Sequence, residues 1–243
     1  MKALLSFFTI LPVSEASLDE AAREAHLLPL IGVVTGSPGA LLLLSVPVVP
    51  PGVASTLALG TVLVAAGLHH ADGVLDVGDA LMVRGPPETR RQVLEDARVG
   101  IGGVGALFVV YAPTVAALAT LCAASPGRAA LSLLAGEVAA RSAMVLTLAY
   151  GEPADAGSSA VPFVRALSGA RHVVAVALAL LAPLPLFFPL GPLAPLAGLA
   201  APLVALICLR VAQAAFGGIS GDAVGATGEA CRAVVLVAIS AIT

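Results

Sequence analysis

The chain has 243 residues, of which 59% are hydrophobic and only 11% are charged, and its mean hydropathy is +1.03. A soluble domain normally carries about 25% charged residues, so this composition excludes an ordinary water-soluble protein and indicates one embedded in the lipid bilayer. The net charge is −3, aromatic residues make up 4% and there is no basic stripe, which excludes nucleic acid as a partner.

The first element is the N-terminal segment MKALLSFFTILPV. Its apolar run is too short to cross a bilayer, which takes about 20 apolar residues. No small-residue cleavage site follows, and the acidic residues Asp19 and Glu20 come soon afterwards. We therefore expect an interfacial or re-entrant segment rather than a signal peptide.

About seven later segments are long and apolar enough to form transmembrane helices. They cover residues 27–49, 53–68, 102–122, 129–150, 172–190, 195–211 and 224–243. Five prolines between positions 183 and 195 interrupt the fifth and sixth segments, which predicts kinks or a shortened hairpin there. The whole chain, residues 1–243, is expected to form a single all-α domain, a polytopic transmembrane helix bundle.

Polar residues gather in the N-terminal segment and in alternate connections, which cover residues 71–101, 151–171 and 212–223. With seven spans, all of these lie on one side of the cell membrane. They hold most of the Lys and Arg residues, and such an excess marks the cytoplasmic face. The sequence thus predicts the N-terminus and the active site inside, and the C-terminus outside. No internal repeat is visible, which weakens a transporter interpretation.

The densest chemistry lies in GLHHADGVLDVGDALMVRG, where His70, Asp72, Gly73, Asp76 and Asp79 follow the pattern H-x-D-G-x-x-D-x-x-D. If the second span continues as a helix, the three aspartates share one face. Their charges repel each other, and a hard divalent cation with oxygen ligands relieves that repulsion. Gly73 predicts a close approach of backbone or ligand. The alternative is a solvated helix face with capping aspartates.

The next polar stretch, ETRRQVLEDARVGIGGVGAL, contains Asp96, Arg98 and a run of glycines. Asp96 is a candidate fourth carboxylate from a neighbouring helix. Arg98 is suited to bind a phosphate through its planar guanidinium. The glycines are typical of close helix packing in membranes, and no strand precedes them as a phosphate-binding loop would require.

The last polar stretch is FGGISGDAVGATGEACR, with Asp222 at the start of the seventh span and Glu229 two turns inside it. A carboxylate within a membrane helix indicates function, although Asp222 also suits a helix N-cap. In the fourth span, Glu137 and Arg141 stand four residues apart. Either they pair with one another or they line a polar cavity, and the sequence leaves both interpretations open.

Together these motifs resemble the cobalamin synthase (adenosylcobinamide-GDP ribazoletransferase) family. In chain order, the segments that carry the resemblance are FFTILPV, LLPLIGVVTG, GLHHADGVLDVGDAL, RRQVLEDARVGIGGVGAL, ARSAMV and FGGISGDAVGATGEA. The chain departs from the family pattern at Cys231-Arg232, where a second acidic residue is usual.

The resemblance implies a membrane transferase that acts on adenosylcobinamide-GDP. A hydroxyl of α-ribazole, or of its 5′-phosphate, attacks the cobinamide-bound phosphorus, GMP leaves, and adenosylcobalamin or its phosphate forms. The expected roles are Mg²⁺ ligands (Asp72, Asp76, Asp79, Asp96), proton acceptors (His70, Asp79), phosphate ligands (Arg98, Arg141) and further substrate contacts (Gly73, Asp222, Glu229). Small-residue helix faces would also allow a homo-oligomer.

Two other functions remain as alternatives. A cation-coupled transporter would place acidic residues through the depth of several helices, whereas here they gather at one face. A CDP-alcohol phosphotransferase would carry D-x-x-D-G-x-x-A-R, but position 69 is His and Asp76 stands where Ala-Arg should follow.

Overall fold

The computed structural model describes residues 1–13, 16–45 and 48–242, and regular structure in these ranges is helical apart from one isolated bridge between Pro153 and Ile219. The α-helices are α1 (Lys2–Phe8), α2 (Leu18–Arg23), α3 (Leu28–Leu43), α4 (Pro51–Ala65), α5 (His69–Met82), α6 (Pro87–Leu94), α7 (Ile101–Ala124), α8 (Pro126–Tyr150), α9 (Val161–Ala166), α10 (Ala170–Leu181), α11 (Leu184–Phe187), α12 (Ala200–Phe216) and α13 (Gly221–Ala241). Short 3₁₀ helices cover Ala25–Leu27, Phe188–Leu190 and Ala194–Leu199. The predicted all-α bundle is confirmed.

Six helical segments are long and apolar enough to cross a membrane, and the count rises to seven if the bent pair of α4 and α5 is taken as one span. The six are Ala25–Leu43, Ile101–Ala124, Pro126–Tyr150, Ala170–Leu190, Ala194–Phe216 and Gly221–Ala241. About seven spans were expected, and this is confirmed; positions 46, 47 and 243 of the predicted spans lie outside the described residues. The prolines after α10 break the helix into short pieces, as predicted.

The central helix of the bundle is α8, which packs against α3, α7, α10, α12 and α13. Within it, 89% of an apolar stretch of 18 residues is buried. Glycine allows the closest of these contacts, because a Cβ at Gly32 on α3 would lie 2.6 Å from the carbonyl oxygen of Glu137. The outer helix faces expose large apolar side chains such as Leu41, Phe108 and Val173. Such faces are typical of helices that contact lipid.

Between α4 and α5 the chain turns sharply. Gly67 and Leu68 both adopt left-handed backbone conformations, with φ of +72° and +62°, and the two helix axes differ by 96°. The second span therefore does not continue as one helix through Asp72, so the condition attached to the shared face of the aspartates is not met by α4. Asp72, Asp76 and Asp79 nevertheless keep their spacing, because all three lie within α5. We treat α4 as the span and α5 as an interfacial helix outside it.

The polar segments meet at one end of the bundle, here called the polar end: α1 and α2, α5 and α6, and the loops 151–160 and 217–220. The amide of Ile219 donates to the carbonyl of Glu152 at 2.8 Å, and Ala154 donates back to Ile219 at 2.9 Å. Arg91 on α6 donates to the carbonyl of Phe216 at 2.7 Å. These contacts join segments far apart in sequence, in agreement with the predicted one-sided distribution.

Candidate active site

The site is built on close contact between α5 and the first turns of α13. A Cβ at Gly73 would lie 2.7 Å from the carbonyl oxygen of Asp222, and a Cβ at Gly225 would lie 3.0 Å from the ring of His70. Two glycines thus bring the aspartates of α5 next to Asp222. Ser220 caps α13, its Oγ accepting from Ala223 at 3.1 Å, so the alternative interpretation of Asp222 as the N-cap is wrong.

Carboxylates gather where α5 meets α13. Partial burial, followed by the nearby charges of Asp72, Asp222 and Asp79, raises the pKa of Asp76 to about 6. Within the described ranges, Asp72, Asp76 and Asp222 take part in no ion pair. The three acids therefore form a negatively charged group that no cationic side chain of the described residues neutralises.

The chemistry of these donors fits Mg²⁺. Carboxylate oxygens are its preferred protein ligands, and it usually binds through one or two of them together with water and substrate phosphates. Among the described residues, no three His, Cys, Asp or Glu side chains are arranged to hold a metal ion by themselves. The group thus suits an ion shared with a phosphorylated substrate better than one enclosed by protein ligands. A magnesium site remains a prediction.

Asp79 has a contact that the sequence did not reveal. Its two carboxylate oxygens accept the backbone N–H groups of Gly100, at 2.6 Å, and Gly103, at 2.8 Å. These amides belong to the N-terminus of α7, where N–H groups lack helical partners and a negative charge is favourable. Asp79 therefore links α5 to the start of α7 through two hydrogen bonds. Its predicted roles as metal ligand and proton acceptor remain untested predictions.

The glycine run at the start of α7 packs against α5. A Cβ at Gly78 would lie 2.5 Å from the side chain of Ala106 and 2.9 Å from the carbonyl oxygen of Gly102. At Gly103, a Cβ would lie 2.7 Å from the carbonyl oxygen of Leu75. The close-packing interpretation of these glycines is confirmed.

Asp96 and Arg98 lie in the loop before α7 and bind each other. The Arg98 guanidinium donates to the Asp96 carboxylate at 2.7 Å, and this contact lowers the pKa of Asp96. Arg98 is 88% exposed. Within the described part of the chain, neither side chain forms a hydrogen bond or ion pair with α5. Their predicted roles as fourth metal ligand and phosphate ligand therefore stay predictions.

A second charged group is buried inside the bundle. Arg232 contacts Glu137 at 2.7 Å and forms an ion pair with Glu229, while Arg141 lies 3.6 Å from Glu137. Thr35 donates to the same Glu137 carboxylate at 2.9 Å. All four charged side chains are at most 2% exposed, and two cations balance two anions. Of the two open interpretations, pairing of Glu137 with Arg141 is the one observed.

Glu229 and Arg141, predicted to contact substrate, thus have protein partners in this group. Arg232 is the residue that the sequence reasoning missed. Its signal was available, since a cation three residues after Glu229 in a membrane helix indicates an intrahelical ion pair.

His70 connects the buried charges to the polar end. Its Nδ1 lies 2.6 Å from a guanidinium nitrogen of Arg141. Since arginine only donates, Nδ1 accepts and the neutral ring carries its proton on Nε2. Burial, followed by the charge of Arg141, lowers the pKa of His70 well below its usual value. The contact favours a hydrogen-bond donor role for His70 over the predicted proton-acceptor role.

A cavity of about 450 Å³ opens beside this histidine. Among its lining residues are Phe7, Phe8, His69, His70, Phe163 and Asp222. Asp222 both lines this cavity and belongs to the cluster of carboxylates where α5 meets α13. A mostly apolar cavity with a few convergent polar groups is the usual form of a small-molecule site.

The fold defines a multi-pass membrane protein, and the carboxylate group and the cavity form a candidate active site at one end of its helix bundle. A family model described as cobalamin-5-phosphate synthase matches residues 1–240. The chain therefore belongs to the cobalamin-5-phosphate synthase family, as the motifs predicted.

Curated relatives carry a consistent name. A Pyrobaculum calidifontis protein named adenosylcobinamide-GDP ribazoletransferase is 38% identical over 182 residues, which cover 75% of this chain and 74% of that protein. Proteins of the same name from Saccharolobus islandicus and Sulfolobus acidocaldarius are 40% and 44% identical. Those two matches cover 49% and 44% of this chain, and 48% and 42% of the respective relatives. No solved structure matches the chain.

Proposed function

We propose that this protein joins adenosylcobinamide-GDP to α-ribazole, or to its 5′-phosphate, and releases GMP. A ribose hydroxyl attacks the phosphorus that carries cobinamide, the bond from that phosphorus to GMP breaks, and the hydroxyl proton leaves. The products are adenosylcobalamin, or its 5′-phosphate, and GMP. The observation that carries this proposal is the unneutralised group of Asp72, Asp76 and Asp222 beside a cavity, in a chain of this family.

A cation is needed because these carboxylates would otherwise repel the diphosphate of the substrate. Asp72 and Asp76 would hold Mg²⁺. When bound, it would neutralise the diphosphate and the charge that develops on the departing GMP. The raised pKa of Asp76 supports this assignment, because a nearby cation favours the charged form that the other aspartates disfavour.

The remaining groups have roles that follow from their contacts. Asp222 lines the cavity, which supports a role for it as acceptor of the hydroxyl proton of the nucleophile. Asp79 is less suited to that step, since both of its oxygens already accept amide N–H groups. The Nε2–H of His70 is available to donate to a substrate oxygen, because Arg141 occupies Nδ1.

The polar end would face the cytoplasm, with the N-terminus inside. This orientation is supported by the Lys and Arg residues of that end, since such residues concentrate in cytoplasmic loops. It would also give the active site direct access to a water-soluble nucleotide conjugate.

A reconstitution assay tests the proposed function. Purified protein in detergent is incubated with adenosylcobinamide-GDP, α-ribazole and Mg²⁺, and GMP and cobalamin are quantified together. We expect equal amounts of both products, none after chelation, and recovery when Mg²⁺ is added back. Without α-ribazole no GMP should appear. Release of GMP in that control would indicate a hydrolase, and full activity in chelator would remove the metal from the mechanism.

Gly73→Ala should disturb the site through backbone contact. The added Cβ would lie 2.7 Å from the carbonyl oxygen and 2.9 Å from Cα of Asp222, and neither backbone atom yields easily. We expect α5 to be pushed away from α13 and the transfer rate to fall by about tenfold or more, corresponding to about 1.4 kcal/mol.

The matched control is Gly60→Ala on α4, where an added Cβ has no neighbour within 4 Å. Its transfer rate should equal that of the wild type. A Gly73→Ala protein with the wild-type rate would show that the spacing between α5 and α13 does not position the reacting groups.

A further inference from the structure

One wall of the cavity is aromatic, and nothing in the carboxylate chemistry accounts for it. Only 4% of the chain is aromatic, yet three of its seven phenylalanines meet here. The ring centroids of Phe7 and Phe8 are 4.9 Å apart. The ring centroid of Phe163 lies 5.9 Å from that of Phe7 and 6.0 Å from that of Phe8. The rings come from α1 and α9, which are separated by more than 150 positions, so the fold assembles this wall.

The rest of the lining divides the cavity into two chemical parts. Ala66, Met144 and Leu148 extend the apolar surface beside the three rings. Asp222 and His70 supply charge and a hydrogen-bond donor, and the ring of His70 lies 6.0 Å from that of Phe8. A ligand that fits both parts has a flat apolar group joined to a hydroxylated group.

We propose that this cavity binds the nucleoside acceptor, with its aromatic base against Phe7, Phe8 and Phe163 and its ribose directed toward Asp222. This inference rests on the proposed function and assigns a subsite to one of its two substrates. Stacking on aromatic side chains contributes about 1–3 kcal/mol per base. The cavity volume of about 450 Å³ suits a ligand of nucleoside size.

The other nucleobase of the reaction, guanine, fits this wall less well. Its edge carries several N–H and C=O groups, and burying them without partners is costly. Apart from His70 and Asp222, the polar side chains of the lining are those of Ser6, Ser159 and His69. An apolar base has no such groups to desolvate, so the geometry favours the acceptor over the GMP portion of the donor substrate.

The absence of tryptophan from the sequence allows a direct binding test. Phe7→Trp places a single fluorophore in the aromatic wall, at a side chain that is 41% exposed and has room for the larger ring. The control is Phe188→Trp, at a 67% exposed position in the short 3₁₀ helix after α11. The probes are α-ribazole, GMP and adenosylcobinamide-GDP, each titrated into detergent-solubilised protein.

We expect α-ribazole to change the Phe7→Trp fluorescence saturably, GMP to have no effect on it, and neither to affect Phe188→Trp. In turnover, Phe7→Ala should raise the KM for α-ribazole by about 5- to 150-fold, the range that corresponds to the stacking free energy. The KM for adenosylcobinamide-GDP should not change.

The two proposals fail in different ways. A Phe7→Trp protein that forms cobalamin but whose fluorescence does not respond to α-ribazole would overturn the subsite. So would a response to GMP instead, which would assign the wall to guanine. A saturable α-ribazole signal in a protein that forms no cobalamin would support the subsite and refute the proposed transfer.

Discussion

Asp76→Asn is expected to reduce the rate of cobalamin formation by at least about 10²- to 10³-fold, the loss seen when a group that stabilises developing charge is removed. Asparagine keeps the shape of the side chain but cannot supply the negative charge that would hold Mg²⁺ between α5 and the diphosphate. The measurement is the initial rate at saturating substrates over a range of Mg²⁺ concentrations. We expect that added Mg²⁺ does not restore the wild-type rate.

The stability of the Asp76→Asn protein should not fall together with its activity. Because burial and neighbouring carboxylates raise the pKa of Asp76 from 3.8 to about 6, the folded protein loses stability as the pH rises between these two values, and the loss is complete above pH 6. Thermal unfolding in detergent at pH 7.5 without Mg²⁺ should therefore show Asp76→Asn to be at least as stable as the wild type. An inactive variant that is also strongly destabilised would instead indicate a structural role for Asp76.

Asp79→Ala provides the contrasting case on the same helix. It removes the acceptor of two amide N–H groups at the start of α7, so we expect a loss of about 0.5–2 kcal/mol of stability, as for other helix N-terminal acceptors. The pair of variants separates the proposed metal-binding role of Asp76 from the structural role of Asp79, although the two aspartates look equivalent in the sequence.

What the sequence predicted well depends on local pattern. Hydrophobic length located the spans, the prolines after α10 interrupted them as expected, and the polar connections gathered at one end. The spacing of Asp72, Asp76 and Asp79 survived even though the helix they were assigned to ends at Ala65. This happened because the spacing depends only on the helical periodicity of α5 itself.

What the sequence did not reveal depends on contacts between distant segments or on single backbone angles. Asp79 binds amides 21 and 24 residues away, and Arg232 binds Glu137 across 95 positions. The turn at Gly67 and Leu68 requires left-handed backbone, and a Gly-Leu pair in an apolar run gives little warning of it. The aromatic wall was also unforeseen, because α1 and α9 meet only in the folded chain.

The second large effect is expected from Glu137→Gln in the buried charged group. Glu137 is fully buried and contacts both Arg232, at 2.7 Å, and Arg141, at 3.6 Å. Replacing it leaves two buried guanidinium groups with only Glu229 to balance them. Removing one partner of a buried ion pair typically costs about 3–5 kcal/mol, because the remaining charge stays desolvated. The free energy of unfolding in mild detergent should fall by that amount.

Glu88→Gln is the matched control, since Glu88 also contacts an arginine, Arg91, three residues away on the same helix, but is 67% exposed. The free energy of unfolding of Glu88→Gln should fall by no more than about 0.5 kcal/mol, because water already screens the pair. If Glu137→Gln were as mild as this control, water or relaxation of the bundle would have to neutralise the freed arginines. The buried group would then not fix Arg141, and the hydrogen bond that orients His70 would lose its support.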